Sequence, residues 1–494
     1  MTTIEPVFPG EHAPGLADDA VVLPWLARMR DEHPVWRDAF GAWHVFRHED
    51  VRTALRDTTT FSSNINRAVG GAATPGMLTQ IDPPEHHALR RTVSAAFTPR
   101  TVAALETRIR EIARELLDRT GERFDLVDAL AFPLPVTVIS ELLGLPASDH
   151  ARFRAWTDAL FDVQIADPAD PDLGARMVEI FTPVGAYFHD QVRARADAPG
   201  EDLISALVAA RVDGRALTEV EAANFSLSLL LAGHITTTAL LGSIVRTLDG
   251  QPGLWSRLRA EPGLIPALIE EVLRLRPPFA QVGRMTTRAS VLAGTEIPAD
   301  AVVTLWVLSA NRDPRAHTHP DRVDLDRGVR GPDQLSFGHG IHFCLGAPLA
   351  RLEARIAVEE LLGRFPRLAV ERDPGEPHDG LRPFDRIAYG VRRLPVRRRP
   401  AEGSAEVAQP DVEPGHRGAQ QRDDDAVARE LPERDGVAHA CGDADGDDVR
   451  ARRDGRAVAA EVGAEGERPP EGLAGGGVGH LATRPSTMGA IVAA

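Results

Sequence analysis

The stretch "FSLSLLLAGHITTTALLGSIVRTL", Phe225 to Leu248, constrains the fold of this chain more than any other. It keeps the helical period yet is apolar on nearly all sides, so as a helix it has no face to give to water and must be enclosed by other elements. Thr218 and Glu221 ahead of it have capping-box spacing, which sets where the helix starts. No window approaches the roughly eighteen uninterrupted apolar residues of a membrane span. The stretch is therefore expected at the centre of a soluble core, covered by further helices.

Those helices are legible on both sides. "WLARMRDEHPVWRDAFGAWHVFRHEDVRTAL" reads as helix, then alternating apolar positions around Val35 and from Trp43 to Phe46, then helix again. "TVAALETRIREIARELLDRT", "PLPVTVISELLGL" and "ARMVEIFTPVGAYFHDQVRARA" carry the helical period, and "ASVLAGTEIPADAVVTLWVLSANRDP" alternates in strand fashion about a turn at Gly294. The expected fold class is mainly α with a smaller β portion (α+β). Residues 1–16 read as an N-terminal arm and 17–400 as one domain. From 401 to 494 there is no Phe, Trp or Tyr and no sustained periodicity, so this tail is expected to be disordered, with the composition of a frameshift or an extended reading frame.

A formal net charge of -16, with arginine as the sole strong cation, excludes a nucleic-acid binder, because phosphate recognition needs a basic surface. The start shows no basic region followed by an apolar run, so a cytoplasmic protein without membrane attachment is expected. The chain has two cysteines, and Cys441 falls in the low-complexity tail. Thiol chemistry thus rests on Cys344.

Cys344 stands in "LSFGHGIHFCLGAPLAR", Leu335 to Arg351. Gly338, Gly340 and Gly346 permit positive φ and close approach to the backbone, and an amphipathic helix starts just after the thiol. A thiolate at a helix N-terminus is stabilised by exposed N–H groups and suits a nucleophile or a metal ligand. A nucleophile needs a general base and an oxyanion hole, for which His342 is the nearest base. A haem ligand needs a loop on which a flat macrocycle can lie and polar partners for its propionates, which the glycines and the histidine suit better.

The run Phe337-Gly338-His339-Gly340-Ile341-His342-Phe343-Cys344-Leu345-Gly346 resembles the F-x-x-G-x-H-x-C-x-G haem signature of the cytochrome P450 family, with every fixed position filled. The resemblance implies the family fold, with haem b between the central helix and the helix after the cysteine loop. It makes Cys344 the axial thiolate ligand, His342 a propionate partner, and Phe337, Gly338 and Gly346 neighbours of the macrocycle. Glu271 and Arg274 match the family's buried E-x-x-R pair, for which Arg322 is nominated as the completing arginine with Arg327 as the alternative. His86 and Arg90 in "IDPPEHHALRR", and Arg284 in "QVGRMTT", match further propionate-binding positions.

In the central helix, Gly233 and Thr236 match the oxygen-binding motif and are the catalytic candidates, with an opened helical turn expected there. Ile235 stands where the family places an acid. Protons must then come from water, a substrate hydroxyl or another acid. His234 points about 100° away around the helix and is a poor replacement.

The resemblance implies a monooxygenase that inserts one atom of dioxygen into an apolar small molecule by hydroxylation or epoxidation. Its electrons would come from a ferredoxin and an NAD(P)H-dependent ferredoxin reductase, docking near Arg90, Arg91, Arg100, Arg351 and Arg355. Ile65, Val69, Met77, Leu78, Ile235, Phe279 and Val282 are expected to border the substrate pocket, with Asn64, Asn66 and Gln281 as polar contacts. The wording resembles actinobacterial tailoring enzymes and favours a macrolide or other polyketide-type secondary metabolite. The alternatives are a terpenoid, steroid or fatty-acid hydroxylase and a peroxide-driven haem enzyme, with a cysteine hydrolase and a haem carrier as more distant rivals.

Overall fold

The computed structural model describes residues 13–165, 172–251, 253–327, 334–375, 378, 381–383 and 388–400; the expectation for the tail 401–494 lies outside them, as does most of the N-terminal arm. Within them the fold is mainly helical with small sheets, as expected.

The central helix runs unbroken over Glu219–Asp249. Its capping box is formed: Thr218 Oγ1 accepts from the Glu221 N–H at 3.2 Å, and a Glu221 carboxylate oxygen accepts from the Thr218 N–H at 2.7 Å. It is long and apolar enough to cross a membrane by composition, but 67% of its apolar window is buried inside the protein, which makes it a core helix. Pro133–Leu143, Leu173–Asp197, Ile265–Leu275 and Ala347–Arg364 pack around it and share one continuous apolar cluster with it. The stretch 101–120, which carries a single helical period, forms two helices, Pro99–Ala103 and Glu106–Asp118. The Leu105 N–H turns back to the Val102 carbonyl three residues earlier, and the chain changes direction there.

The main sheet has five strands in the order Val35–Arg37, Trp43–Val45, Val302–Leu305, Val282–Thr286 and Phe61–Ser62. Arg284 is paired with Val303 in mid-sheet, and Ser62 is paired with Met285. That register sets Ser63, one residue past the edge strand, close to Arg284 in the fold. The short hairpin Ser290–Leu292 with Thr295–Ile297 turns at Ala293 and Gly294, whose φ values of 47° and 77° suit the expected tight turn.

Glu271 and Arg274 are a buried pair: Arg274 Nε and Nη2 each lie 2.9 Å from a Glu271 oxygen, and the Arg274 side chain is 1% exposed. The remaining guanidinium protons go to the carbonyls of Asn311, Pro320 and Arg322 at 3.0, 2.5 and 2.8 Å. The completing arginine is Arg327, not Arg322. The short helix Leu325–Arg327 folds back so that Arg327 Nε sits 3.2 Å from Glu271, whereas Arg322 contributes its carbonyl and leaves its side chain exposed.

Candidate active site

The cysteine loop is a tight return of the chain. Cys344 N–H donates to the Phe337 carbonyl at 2.8 Å and Gly338 N–H to Leu335 at 2.9 Å, while Gly338 and Gly340 take φ of 70° and 75°. Only glycine enters that region without strain. Gly340 is required twice over, since a Cβ there would come within 3.1 Å of the Leu55 carbonyl. Gly346 is different: its φ is -84° and a Cβ would meet nothing within 4 Å. Neither backbone nor protein packing demands glycine there, and the open space beside it would admit a flat group lying on the loop.

Phe337 is buried beneath the loop, with the Arg351 guanidinium 4.4 Å from its ring centre. Burial pushes the Cys344 thiol up, while the Gly346 and Ala347 amides with Arg90 and Arg351 pull it down. The loop thus delivers one thiol to the N-terminus of the helix Ala347–Arg364.

Around it gather the other expected residues. His86 is 0% exposed and neither ring nitrogen has a partner. Its ring centre lies 4.4 Å from that of His342, whose Nε2 is 2.9 Å from Ser63 Oγ. Arg284 is buried, donates from Nη1 to the Gly283 carbonyl at 2.8 Å, and has an unpartnered Nε. Arg90 Nη2 donates to the Phe343 carbonyl at 2.5 Å.

Burial, reinforced by these neighbouring cations, pushes His342 down to about 2 and His86 down to about 4; burial alone takes Arg284 to about 10 against the pull of Asp82. Asp82 is itself held by the Ser62 hydroxyl and the Ser63 N–H. A buried cluster of donors with three orphaned nitrogens calls for an anionic partner. The two propionates of a haem would meet that demand, and Cys344 is the residue that would hold its iron. Among the described residues there is no group of three or more His, Cys, Asp or Glu that could hold a bare metal ion. The residues present fit haem.

Ser63 was absent from the sequence-based site. No local motif marks it, and only the pairing of Phe61–Ser62 with the Arg284 strand brings it to His342.

On the central helix, Ala232 is exposed and Ser228, Leu231, Gly233 and Thr236 are partly so, whereas Leu230, His234, Ile235 and Thr237 are buried. This is the open face of an otherwise enclosed helix. Thr236 Oγ1 donates to the Ala232 carbonyl at 2.7 Å, as its type predicts, but the expected opening of the turn is absent because the helix is regular throughout. Gly233 also has a packing role. A Cβ there would lie 2.9 Å from Ile139 Cγ1, so the missing side chain serves close packing against the helix Pro133–Leu143. His234 is locked in the core, with Nδ1 donating to the Leu230 carbonyl at 2.7 Å and Nε2 facing Thr157 Oγ1 at 2.8 Å. Burial pushes it down to about 4, so it is neutral and holds the helix His150–Ile165 in place.

Ile235 packs with Phe161, Ala239 and Ala388, and also borders a cavity of about 20 Å³, room for roughly one water. None of that cavity's lining belongs to the cysteine loop. Phe279 forms an isolated bridge to Ala388, Val282 is half-buried on its strand, and Ile65 is buried. Leu78, expected in the pocket, belongs to the main core, because the turn Leu78–Gln80 tucks it against the residues below the loop. Val69 lies on the turn Ile65–Val69, but its side chain is outside the described set. Asn66 is spent on the Ala72 carbonyl at 3.0 Å, Asn64 has a buried, unpartnered Oδ1, and Gln281 is half-buried.

The loop carrying Met77 is seated on the central helix. Asn224 Nδ2 donates to the Pro75 carbonyl at 2.9 Å and Ser228 Oγ donates to Met77 Sδ at 2.8 Å. Gly76 has φ of 79°, and a Cβ on it would run into the backbone of Glu221. Gly76→Ala is therefore expected to lift this loop, cost about 1–3 kcal/mol and weaken substrate binding. Chemical denaturation and ligand titration check it; unchanged stability and affinity would contradict the seating.

Comparison with known proteins agrees with this geometry. A family model described as Cytochrome P450 matches residues 179–381. The chain is 58% identical over 397 residues to the erythromycin C-12 hydroxylase of Saccharopolyspora erythraea, covering 80% of this chain and 98% of that one. It is 44% identical over 363 residues to the cyclomarin C epoxidase of Salinispora arenicola, covering 72% and 91%. A solved structure of a P450 EryK mutant in complex with erythromycin B matches with a TM-score of 0.75 and 57% identity, covering 79% of this chain and all of that one.

Proposed function

This chain belongs to the cytochrome P450 family, and on that premise we propose that it oxidises an erythromycin-like macrolide, with residues 17–400 as its catalytic domain and 401–494 as a tail outside it. It is a haem-dependent monooxygenase. The observation that carries the substrate class is the 58% identity, over nearly the whole length of the relative, to an enzyme named for hydroxylating erythromycin.

Cys344 would ligate the iron, and His86, Arg90, Arg284 and His342, with Ser63 behind His342, would hold the propionates. Bound there, haem supplies reductive activation of dioxygen and transfer of one oxygen atom to carbon, with the thiolate favouring O–O cleavage. The chain's own contributions are positional. Ile65, Met77, Ile235 and Phe279 give the substrate an apolar wall that excludes water, and Asn64 Oδ1 offers an acceptor for a substrate hydroxyl. Thr236 presents a hydroxyl on the open helix face, where it accepts and donates hydrogen bonds to whatever occupies that side. The presence of Thr236 on this face speaks against the peroxide-driven alternative, while Ile235 in place of the acid favours it.

Electrons are assigned to a ferredoxin and its NAD(P)H-dependent reductase in the cytoplasm. Arg91, Arg351 and Arg355 are engaged by Asp213, Glu270, and Glu106 with Glu359. Arg90 is likewise engaged by the Phe343 carbonyl, so docking falls mainly to exposed Arg100 and to Phe343, which is 40% exposed beside the ligand loop.

The test is a spectral titration of the purified holoenzyme with erythromycin B, a steroid, a terpenoid and a fatty acid, following displacement of iron-bound water. Saturable shift with the macrolide is expected. A shift confined to the steroid, terpenoid or fatty acid would overturn the substrate class.

A further inference from the structure

Ser228, on the central helix, touches a sulfur. Its Oγ lies 2.8 Å from Met77 Sδ and 2.8 Å from the Asn224 carbonyl, so one hydroxyl serves a loop and a helix at once. Asn224, Ser228, Ala232 and Thr236 recur every four residues and, at about 100° per residue, drift by only about 40° from one to the next, so they form one stripe along the helix. The loop 70–80 covers the first two, Asn224 through the Pro75 carbonyl and Ser228 through Met77, and leaves Ala232 exposed and Thr236 partly so. The Met77 thioether therefore stands at the edge of the open stretch, with Ser228 one turn from Ala232 and two from Thr236.

Access sets this sulfur apart. Among the described residues methionine occurs at 29, 77, 177 and 285; Met29, Met177 and Met285 are 2%, 7% and 1% exposed in the core, whereas Met77 is half-buried. Oxidation of a thioether turns a flexible apolar side chain into a polar one, and it needs an oxidant that reaches the sulfur. The seat of the loop has no space for that change. An oxygen atom cannot enter the 2.8 Å contact without parting Ser228 from the sulfur. On the other side of the sulfur it puts a dipole into the apolar wall assigned to Met77 with Ile65, Ile235 and Phe279. The loop cannot sink to compensate, because Gly76 already lies against the backbone of Glu221.

We propose that Met77 is a modification site: hydrogen peroxide oxidises its thioether, and the sulfoxide releases the loop 70–80 from the central helix and weakens substrate binding until a reductase restores the thioether. Peroxide arises when dioxygen takes up two electrons and two protons and leaves without transferring oxygen to carbon. In the step, a sulfur lone pair attacks one peroxide oxygen, the O–O bond breaks and water leaves; sulfur loses two electrons and the peroxide gains them. The source of the peroxide rests on the monooxygenase reading and the ligand used below on the macrolide reading, but the reactivity of Met77 rests on neither.

The purified holoenzyme is treated with dilute hydrogen peroxide and, in parallel, turned over with NAD(P)H, a surrogate ferredoxin and its reductase. Peptide mass spectrometry is expected to find one added oxygen on Met77 before any on Met29, Met177 or Met285. Erythromycin B should then bind about tenfold more weakly in the spectral titration, as for the loss of one seating contact, and thermolysin should cut the loop 70–80 faster. Methionine sulfoxide reductase should reverse both effects, which oxidative loss of haem would not allow. In Met77→Leu, whatever its starting affinity, peroxide should move neither readout. Oxygen on the core methionines as early as on Met77, a Met77 sulfoxide that leaves affinity and cleavage unchanged, or an equal peroxide effect in Met77→Leu overturns the proposal. Sulfoxide in the peroxide arm alone overturns turnover as the source. Failure of the macrolide reading shows differently, as no shift with erythromycin B before peroxide while cleavage still accelerates after it.

Discussion

Cys344→Ala is expected to abolish the absorption signature of thiolate-ligated haem and all oxygenation, while leaving the protein folded. The loop's shape comes from the Cys344 N–H to Phe337 bond and the positive φ of Gly338 and Gly340, and alanine preserves these. His86, His342 and Arg284 remain to take the propionates, so haem uptake should persist at reduced affinity. What disappears is the sole sulfur ligand, because Cys344 and Cys441 are the chain's two cysteines and Cys441 lies in the tail. The check is the absorption spectrum of the reduced, carbon monoxide-bound protein beside its haem content. A mutant whose thiolate band is unchanged would remove Cys344 from the iron.

The second large effect is expected at the buried ion pair. Arg274 uses its planar guanidinium on both oxygens of Glu271 and on three backbone carbonyls, and Arg327 approaches the same carboxylate. Glu271→Gln leaves the buried Arg274 without a counter-charge and Arg327 with Asp324 alone at 3.8 Å, and Arg274→Lys replaces a rigid fork with a point charge that cannot span five acceptors. Each should cost about 3–5 kcal/mol, against a total stability of about 5–15 kcal/mol for a protein of this kind. Because Arg274 pins the segment from Asn311 to Arg322 that leads into the cysteine loop, haem retention should fall with stability. Denaturant unfolding and haem content after gel filtration measure both; stability within about 1 kcal/mol of the wild type would show that the pair is dispensable.

Much of this was written in the chain locally. The positive-φ glycines around Cys344, the Thr218–Glu221 cap and the turn at Ala293–Gly294 depend on neighbours a few residues away, and each formed as expected. The choice between chemically equivalent residues was not local. Arg322 and Arg327 stand on one short segment, and which of them reaches Glu271 depends on a turn that closes over a distant helix. The packing role of Gly233 likewise depends on Ile139, far away in the chain.

The sequence by itself therefore determined the loop around Cys344 and the enclosed central helix, since glycine conformations and helical periodicity are properties of contiguous residues, and it pointed to the class of cofactor through the resemblance of that loop to the family's haem signature. Only the tertiary structure decided which faces met: Ser63 at His342, Arg327 at Glu271 and Ile139 behind Gly233. The physical reason is that a helix's rotation about its axis and a loop's return path are set by packing against residues far away in the chain. A difference of one position, about 100° around a helix, separates a side chain that lines the site from one that supports it.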